Sequence, residues 1–162
     1  MPNPRAIDII DDYETNTWLI HHQVDGVSDR ASLLLPPFPT NSLNWILGHI
    51  VWRRSSALAV LGLPPLWDED IAAAYQSDSD LLTSPARARS FSALLADLDQ
   101  SQQALNTVLQ GADDPMLDAV VDNDRGAKPV IEHLRGFHWH ETLHVGQLDI
   151  LRAYVDFTND TE

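Results

Sequence analysis

Apolar residues recur every three or four positions in four long stretches of this chain, and prolines separate the stretches. The ten prolines lie at positions 2, 4, 36, 37, 39, 64, 65, 85, 115 and 129. Because a proline inside a helix costs about 3 kcal/mol or more, prolines collect where helices begin or end. The pattern therefore predicts four helices, at about 5–25, 41–61, 85–110 and 129–156.

Local signals support the ends of these helices. Residues 40–42 are good N-caps for the second helix, which Gly62 would end, and Ser84-Pro85 would begin the third helix. No stretch alternates apolar and polar residues as a half-buried strand does. We therefore expect a single all-α domain over residues 1–162, folded as a four-helix bundle.

Three connections between the predicted helices are longer than those of a simple up-and-down bundle. They span residues 25–40, 62–84 and 112–128, and the acidic, serine-rich part at 68–84 could be mobile or carry a short helix. Long connections of this kind often cover a site at one end of a bundle.

The charge of the chain excludes several kinds of partner. Lys and Arg total 10 against 24 Asp and Glu, which gives a formal net charge of −14. A field of that sign repels nucleic-acid phosphates and anionic lipid headgroups. No apolar run approaches the roughly 18 to 20 residues of a membrane span, and the N-terminus lacks the order of a signal peptide. We expect a cytoplasmic protein that acts on a small-molecule substrate, with neither nucleic acid nor membrane as partner.

The absence of cysteine narrows the chemistry further. The chain has no Cys and seven His. Disulfides, thiolate metal sites, cysteine nucleophiles and iron–sulfur clusters are therefore excluded together. Any bound metal must be held by histidines and carboxylates.

The fourth predicted helix carries two histidines one turn apart on its apolar face. His140 and His144 point in nearly the same direction as Phe137 and Leu148. Residues four apart are separated by about 6 Å along a helix axis, so both imidazoles can direct a nitrogen at one cation. The pair forms half of a metal site. His133, two turns away from this pair, is expected to be a capping residue or to contact a connecting loop instead.

The same residues match the HExxH motif of zinc proteases, in which the glutamate, here Glu141, acts as general base on metal-bound water. The longer form of that motif has Gly at 147 and His at 150, where this chain has Gln147 and Ile150. We therefore do not expect a protease. Glu141 stays a candidate catalytic base, and a contact to a ligand or a neighbouring helix is the equal alternative.

Gln147 is the second candidate catalytic residue. It lies one turn after His144 and could hydrogen-bond a ligand histidine or a bound water. The alternative is a buried amide whose hydrogen bonds are made by a neighbouring helix. Two further polar residues, Arg53 and Arg54, are expected to form surface ion pairs, and the alternative is that one of them recognises a substrate carboxylate.

A third metal ligand must come from another helix. His21 and His22 form a pair on the first helix, and His49 lies on the second at the edge of the apolar stripe, between Trp45 and Trp52. A titratable side chain flanked by two tryptophans is not expected at the surface. These features favour His49 as the third ligand.

Two glycines point the same way. Gly48 and Gly146 would allow the second and fourth helices to approach each other closely beside the histidines. A close approach of these two helices would bring His49 to His140 and His144.

Two segments of the chain together resemble the DinB-like superfamily of metal-dependent four-helix-bundle enzymes. They are Trp45 with Gly48-His49-Ile50, and His140-Glu141-Thr142-Leu143-His144-Val145-Gly146-Gln147-Leu148. This is the damage-inducible family and not the DNA polymerase of the same name. The resemblance covers essentially the whole chain, and it implies that His49, His140 and His144 bind a divalent ion. Zinc is the first candidate, with nickel or iron as alternatives, and the family often forms homodimers.

The resemblance also implies a class of reaction. Family members include enzymes that transfer or isomerise with small thiols such as bacillithiol or mycothiol, while many have no assigned activity. An open three-histidine site can bind an external thiol as thiolate, which favours thiol S-transferase-like chemistry. The alternatives are a metal-dependent hydrolase using metal-bound water, and a stress-induced binding protein whose metal only links two helices.

Overall fold

The computed structural model describes residues 2–159 of the chain, so Met1 and residues 160–162 of the expected domain lie outside the described part. The described part contains helices α1 (Pro4–Val24), α2 (Asp29–Ser32), α3 (Leu43–Val60), α4 (Glu69–Ala73), α5 (Phe91–Leu109), α6 (Asp114–Asp118) and α7 (Val130–Asn159), with strands β1 (Val120–Val121) and β2 (Lys128–Pro129) before α7.

The four long helices α1, α3, α5 and α7 form a bundle. Helices α5 and α7 each pack against both α1 and α3. Two apolar clusters fill the bundle, one around Leu47, Leu94 and Leu148 and the other around Leu105 and Leu134. The prediction of an all-α four-helix bundle with long connections is confirmed. No helix within residues 2–159 has the length and apolarity needed to cross a membrane.

Side-chain caps set the beginnings of the first two long helices. The side chain of Asn3 accepts a hydrogen bond from the amide of Arg5 at the start of α1. The hydroxyl of Ser42 accepts one from the amide of Trp45 at the start of α3. These caps occupy backbone donors that the first turn of a helix leaves unpaired. The serine cap places α3 two residues later than the predicted start at 41.

Helix α5 begins six residues later than the predicted start at 85, so that prediction is wrong. Ser84 instead closes a separate turn, in which its carbonyl accepts from the amide of Arg87. The amide of Arg89 donates to the hydroxyl of Tyr75, and the amide of Phe91 donates to Asp29 Oδ1. These amides are bonded to side chains from other parts of the chain, so an earlier helix start would lose both bonds.

A two-stranded ribbon precedes α7. Strands β1 and β2 pair antiparallel, with Val120 opposite Pro129 and Val121 opposite Lys128. Pro129, predicted as the first residue of the fourth helix, therefore belongs to β2. His133 Nε2 lies 2.9 Å from the Val121 carbonyl oxygen, so the predicted contact of His133 with a connecting loop is confirmed.

Candidate metal centre

Three histidines from two helices meet at one point in the bundle. Each of His49 on α3 and His140 and His144 on α7 offers a ring nitrogen, and these atoms lie within 4.8 Å of one another. The Nε2 atoms of His140 and His144 are 3.2 Å apart. Two nitrogens bound to one tetrahedral ion at about 2.0–2.1 Å would be about 3.3 Å apart. The cluster therefore fits a divalent metal ion, and it could bind one.

His49 is held firmly in the orientation that a metal ligand needs. Its Nδ1 donates to the backbone carbonyl of Tyr75 at 2.8 Å, which leaves the lone pair of Nε2 free for a metal. Its ring stacks on Trp45 with 4.7 Å between centroids, and the residue is only 2% exposed. The expectation that His49, flanked by two tryptophans, is not at the surface is confirmed. Its hydrogen-bond partner Tyr75 lies in the connection between α4 and α5.

The two histidines of α7 are half-buried, and they differ in the hydrogen bonding of their Nδ1 atoms. The Nδ1 of His144 donates to Gln147 Oε1 at 2.7 Å, so a neutral His144 presents the lone pair of Nε2 to the cluster. Gln147 itself is exposed, so the alternative of a buried amide is wrong. The Nδ1 of His140 is buried and has no hydrogen-bond partner among the described residues.

Burial keeps the three imidazoles neutral. Desolvation is the main cause that lowers the pKa of His49 to about 4, with the charges of His144 and Arg53 acting in the same direction. Desolvation followed by the His144 charge also lowers the pKa of His140 to about 4. The pKa of His144 is lowered by burial as well. Neutral imidazole is the form that coordinates a metal, so the cluster is prepared for binding at neutral pH.

Glu141 points away from the histidine cluster and into the bundle. Its two carboxylate oxygens accept from Arg54 Nη2 at 2.7 Å and from Arg54 Nε at 2.9 Å. Arg54 is 1% exposed and Glu141 3%, so this ion pair is fully buried. Of the two roles considered for Glu141, the structure shows the contact to a neighbouring helix. The expectation that Arg54 makes a surface ion pair is wrong.

The remaining donors of Arg54 bind the other two long helices. Its Nη1 donates to the Ser101 hydroxyl and to Gln102 Oε1 on α5, both at 3.1 Å, and its Nη2 donates to the Thr17 hydroxyl on α1 at 2.9 Å. One guanidinium group therefore links all four long helices. This role of Arg54 differs from the surface ion pair or substrate contact predicted for it.

His21 and His22 of α1 lie outside the cluster. The Nε2 of His21 lies 2.7 Å from Asp99 Oδ1 on α5, and the ring of His22 stacks on Trp18. The structure therefore brings His49, and neither of the α1 histidines, to the pair on α7.

Gly48 makes room for a connecting segment and not for α7. A Cβ atom at Gly48 would lie 2.2 Å from two ring carbons of Tyr75, whereas a Cβ atom at Gly146 would meet nothing within 4 Å. The expectation that both glycines allow the second and fourth predicted helices to approach closely is therefore wrong. Gly48 instead lets Tyr75 pack on α3, where its carbonyl receives the hydrogen bond of His49.

Replacing Gly48 with alanine should therefore disturb both packing and metal binding. The new methyl group must displace the buried Tyr75 ring, and overpacking of this kind costs about 1–3 kcal/mol. Gly146→Ala is the matched control, because it lies in a helix with open space and should be neutral or stabilising by up to about 1 kcal/mol. Urea unfolding and zinc titration of both variants measure the effects. Equal stability and zinc affinity of the two variants would contradict this role of Gly48.

Comparison with known proteins supports the fold and identifies the family. A solved structure described as a conserved protein from Enterococcus faecalis is 17% identical, has a TM-score of 0.71, and the match covers 91% of this chain and 94% of that one. At this identity the likeness concerns the fold alone. No curated protein gives a significant match. The sequence profile of the DinB superfamily matches residues 11–148, which include all three histidines of the cluster. The chain belongs to the DinB superfamily.

Proposed function

We propose that this protein is a metal-dependent enzyme that transfers a group to or from a small thiol cosubstrate, with zinc held by His49, His140 and His144. The observation that carries the proposal is the convergence of three imidazole nitrogens within 4.8 Å. Catalytic zinc sites use three protein ligands and keep a further position open for substrate. Nickel and iron are the alternatives, because both also bind imidazole nitrogens.

A thiol cosubstrate suits this donor set. Bound zinc would lower the pKa of a thiol and hold it as the thiolate, which is the nucleophilic form. The chain contains no Cys, so no internal thiolate competes for the open position. The rings of Trp45 and Trp52 lie against the His49 ring, with centroids 4.7 Å and 5.2 Å away, and present apolar surface beside the cluster.

Gln147 and Tyr75 act in this proposal as positioning residues. The amide oxygen of Gln147 and the carbonyl of Tyr75 each accept the Nδ1 hydrogen of one ligand histidine. Such partners fix the ring orientation and raise the basicity of the ligand, and their loss lowers metal affinity by roughly 10–100-fold. Neither group needs to touch the substrate for this role.

The two alternative functions have less support. A hydrolase would need a general base near the metal, and the natural candidate, Glu141, has both oxygens bound by Arg54. A purely structural zinc site is normally closed by four protein ligands, whereas this cluster offers three, and His140 and His144 are half-buried. The set of three ligands and the partial exposure of His140 and His144 favour an open site that receives an external ligand.

Cobalt substitution tests the proposed function directly. The visible spectrum of a cobalt-substituted site should change when 2-mercaptoethanol is added, because a thiolate ligand introduces sulfur-to-metal charge transfer. Ethylene glycol, which has hydroxyls in place of the thiol, is the matched control and should cause no such change. If the spectrum of the fully cobalt-loaded protein did not change on addition of the thiol, the proposal would be contradicted. If metal removal then lowered the melting temperature, the structural alternative would be favoured.

A further inference from the structure

Arg53 is a half-buried cation whose hydrogen-bonding capacity is largely unused. Its side chain is 14% exposed, and its buried Nε has no hydrogen-bond partner among the described residues. Its ion pair within residues 2–159 is long, 3.9 Å from Nη1 to Asp124 Oδ2, and the Asp124 side chain is 71% exposed. Arg54, the next residue, binds partners with all three of its guanidinium nitrogens. Arg53 therefore lacks the side-chain hydrogen bonds that fix Arg54 in the bundle.

A second cation, Arg125, lies at the same aromatic ring as Arg53. The guanidinium carbons of Arg53 and Arg125 lie 5.3 Å and 4.6 Å from the centroid of the Phe137 ring. No ion pair involves Arg125 within residues 2–159. Burial and then the charge of Arg125 lower the pKa of Arg53, while Asp124 opposes them. Two cations at one ring repel each other, and this is notable in a chain with a net charge of −14.

The two arginines border the histidine cluster. Arg53 follows His49 by one helical turn, and the Trp52 ring lies near both, 5.1 Å from the Arg53 guanidinium carbon and 5.2 Å from the His49 ring centroid. On α7, Phe137 precedes His140 by one turn. A small molecule could therefore contact the cluster and the arginines together.

We propose that Arg53 and Arg125 form a subsite for an oxyanion, a carboxylate or phosphate, carried by the small molecule that binds at the histidine cluster. A guanidinium fork matches the geometry of these groups and can bind them through two parallel hydrogen bonds. An anion there would offset the repulsion between the two cations. The anion subsite stands on these contacts alone, and its link to a thiol substrate rests on the proposed function.

Arginine side-chain signals in nuclear magnetic resonance spectra of the zinc-loaded protein test the subsite. Titration with acetate or with inorganic phosphate should shift the Nε–Hε signals of Arg53 and Arg125 saturably, and the anion that binds more tightly identifies the class. Arg135, exposed on α7, should not follow them. Arg53→Gln or Arg125→Gln should weaken anion binding about tenfold or more, whereas Arg135→Gln removes the same charge without effect. Parallel shifts of all arginines, or a fixed Arg53 signal, would overturn the subsite.

A pair of thiols tests the link between the subsite and the metal. 3-Mercaptopropionate carries a carboxylate that 2-mercaptoethanol lacks, so it should bind the cobalt-substituted protein about tenfold more tightly. Arg53→Gln should remove this preference, and Arg135→Gln should keep it. Equal binding of the two thiols to the unmodified protein would overturn the link. If neither thiol binds while the anion shifts persist, the thiol-transfer function fails and the anion subsite stands.

Discussion

Substitution of His49 by alanine is expected to reduce bound zinc from full occupancy to background in the purified protein. The loss removes one of three converging nitrogens, and the two that remain are His140 and His144 on a single helix. The affinity should fall by more than the roughly 10–100-fold that loss of an outer hydrogen-bond partner costs. Zinc analysis after gel filtration, with competition against a chelator, measures the effect.

Two further variants make this result interpretable. Because His49 is buried, its removal could also weaken the fold, so His144→Ala provides a half-buried ligand whose loss should have the same effect on zinc. His22→Ala is the matched control, since that ring stacks on Trp18 outside the cluster. Full zinc content in both His49→Ala and His144→Ala would show that the zinc binds elsewhere in the protein.

Replacing Arg54 with methionine is expected to destabilise the bundle by about 3–5 kcal/mol, the cost of leaving a buried charge unpaired. Glu141 would lose its two hydrogen bonds from Arg54, at 2.7 Å and 2.9 Å. Its side chain is only 3% exposed, so water cannot replace them. The double variant Arg54→Met with Glu141→Leu should recover part of the loss, since apolar groups of similar volume can replace a buried ion pair. Urea unfolding of Arg54→Met, of Glu141→Leu and of the double variant gives the coupling between the two residues.

Arg5→Gln is the control for the ion pair. Arg5 forms two ion pairs with Asp114 and Asp118 near the start of α1, and all three side chains are well exposed. Exposed pairs contribute little because water and salt screen them. If Arg54→Met unfolded at the same urea concentration as Arg5→Gln, the buried pair would have no special importance for the fold.

The histidines of α7 could be predicted from sequence because their information is local. A spacing of four residues places His140 and His144 on one helix face whatever surrounds them. The assignment of His49 needed more, namely its position between two tryptophans and the resemblance to a family. The hydrogen bond from His49 to the Tyr75 carbonyl could not be predicted, because backbone carbonyls are present at every residue and only the path of the connection selects one.

The buried ion pair was missed although a signal for it exists. Arg54 lies on the apolar stripe of α3 at helical spacing from Leu47, Ile50 and Ala57, all of which are buried. Glu141 occupies the equivalent place on α7, between Phe137 and Leu148. Two opposite charges, each on the core-facing stripe of a different helix, indicate a buried pair. Composition alone suggests the surface, because a scarce cation in an acidic chain has many exposed carboxylates to choose from.

The late start of α5 has a different origin. Both Ser84-Pro85 and Ser90 are acceptable helix caps, and local propensity does not choose between them. The choice depends on partners distant in sequence, Tyr75 for the amide of Arg89 and Asp29 for the amide of Phe91. Information of this kind appears only once the chain has folded.

Tyr75 couples the histidine cluster to the segment between α3 and α5. Its carbonyl orients His49, its ring lies against Gly48, and its hydroxyl both donates to Asn44 Oδ1 and accepts from the amide of Arg89. A metal that binds only when His49 is oriented must also favour the docked state of this segment, and thermodynamic linkage makes the effect reciprocal. Metal occupancy would then slow proteolysis and hydrogen exchange in this segment, so the segment itself would report whether the centre is loaded.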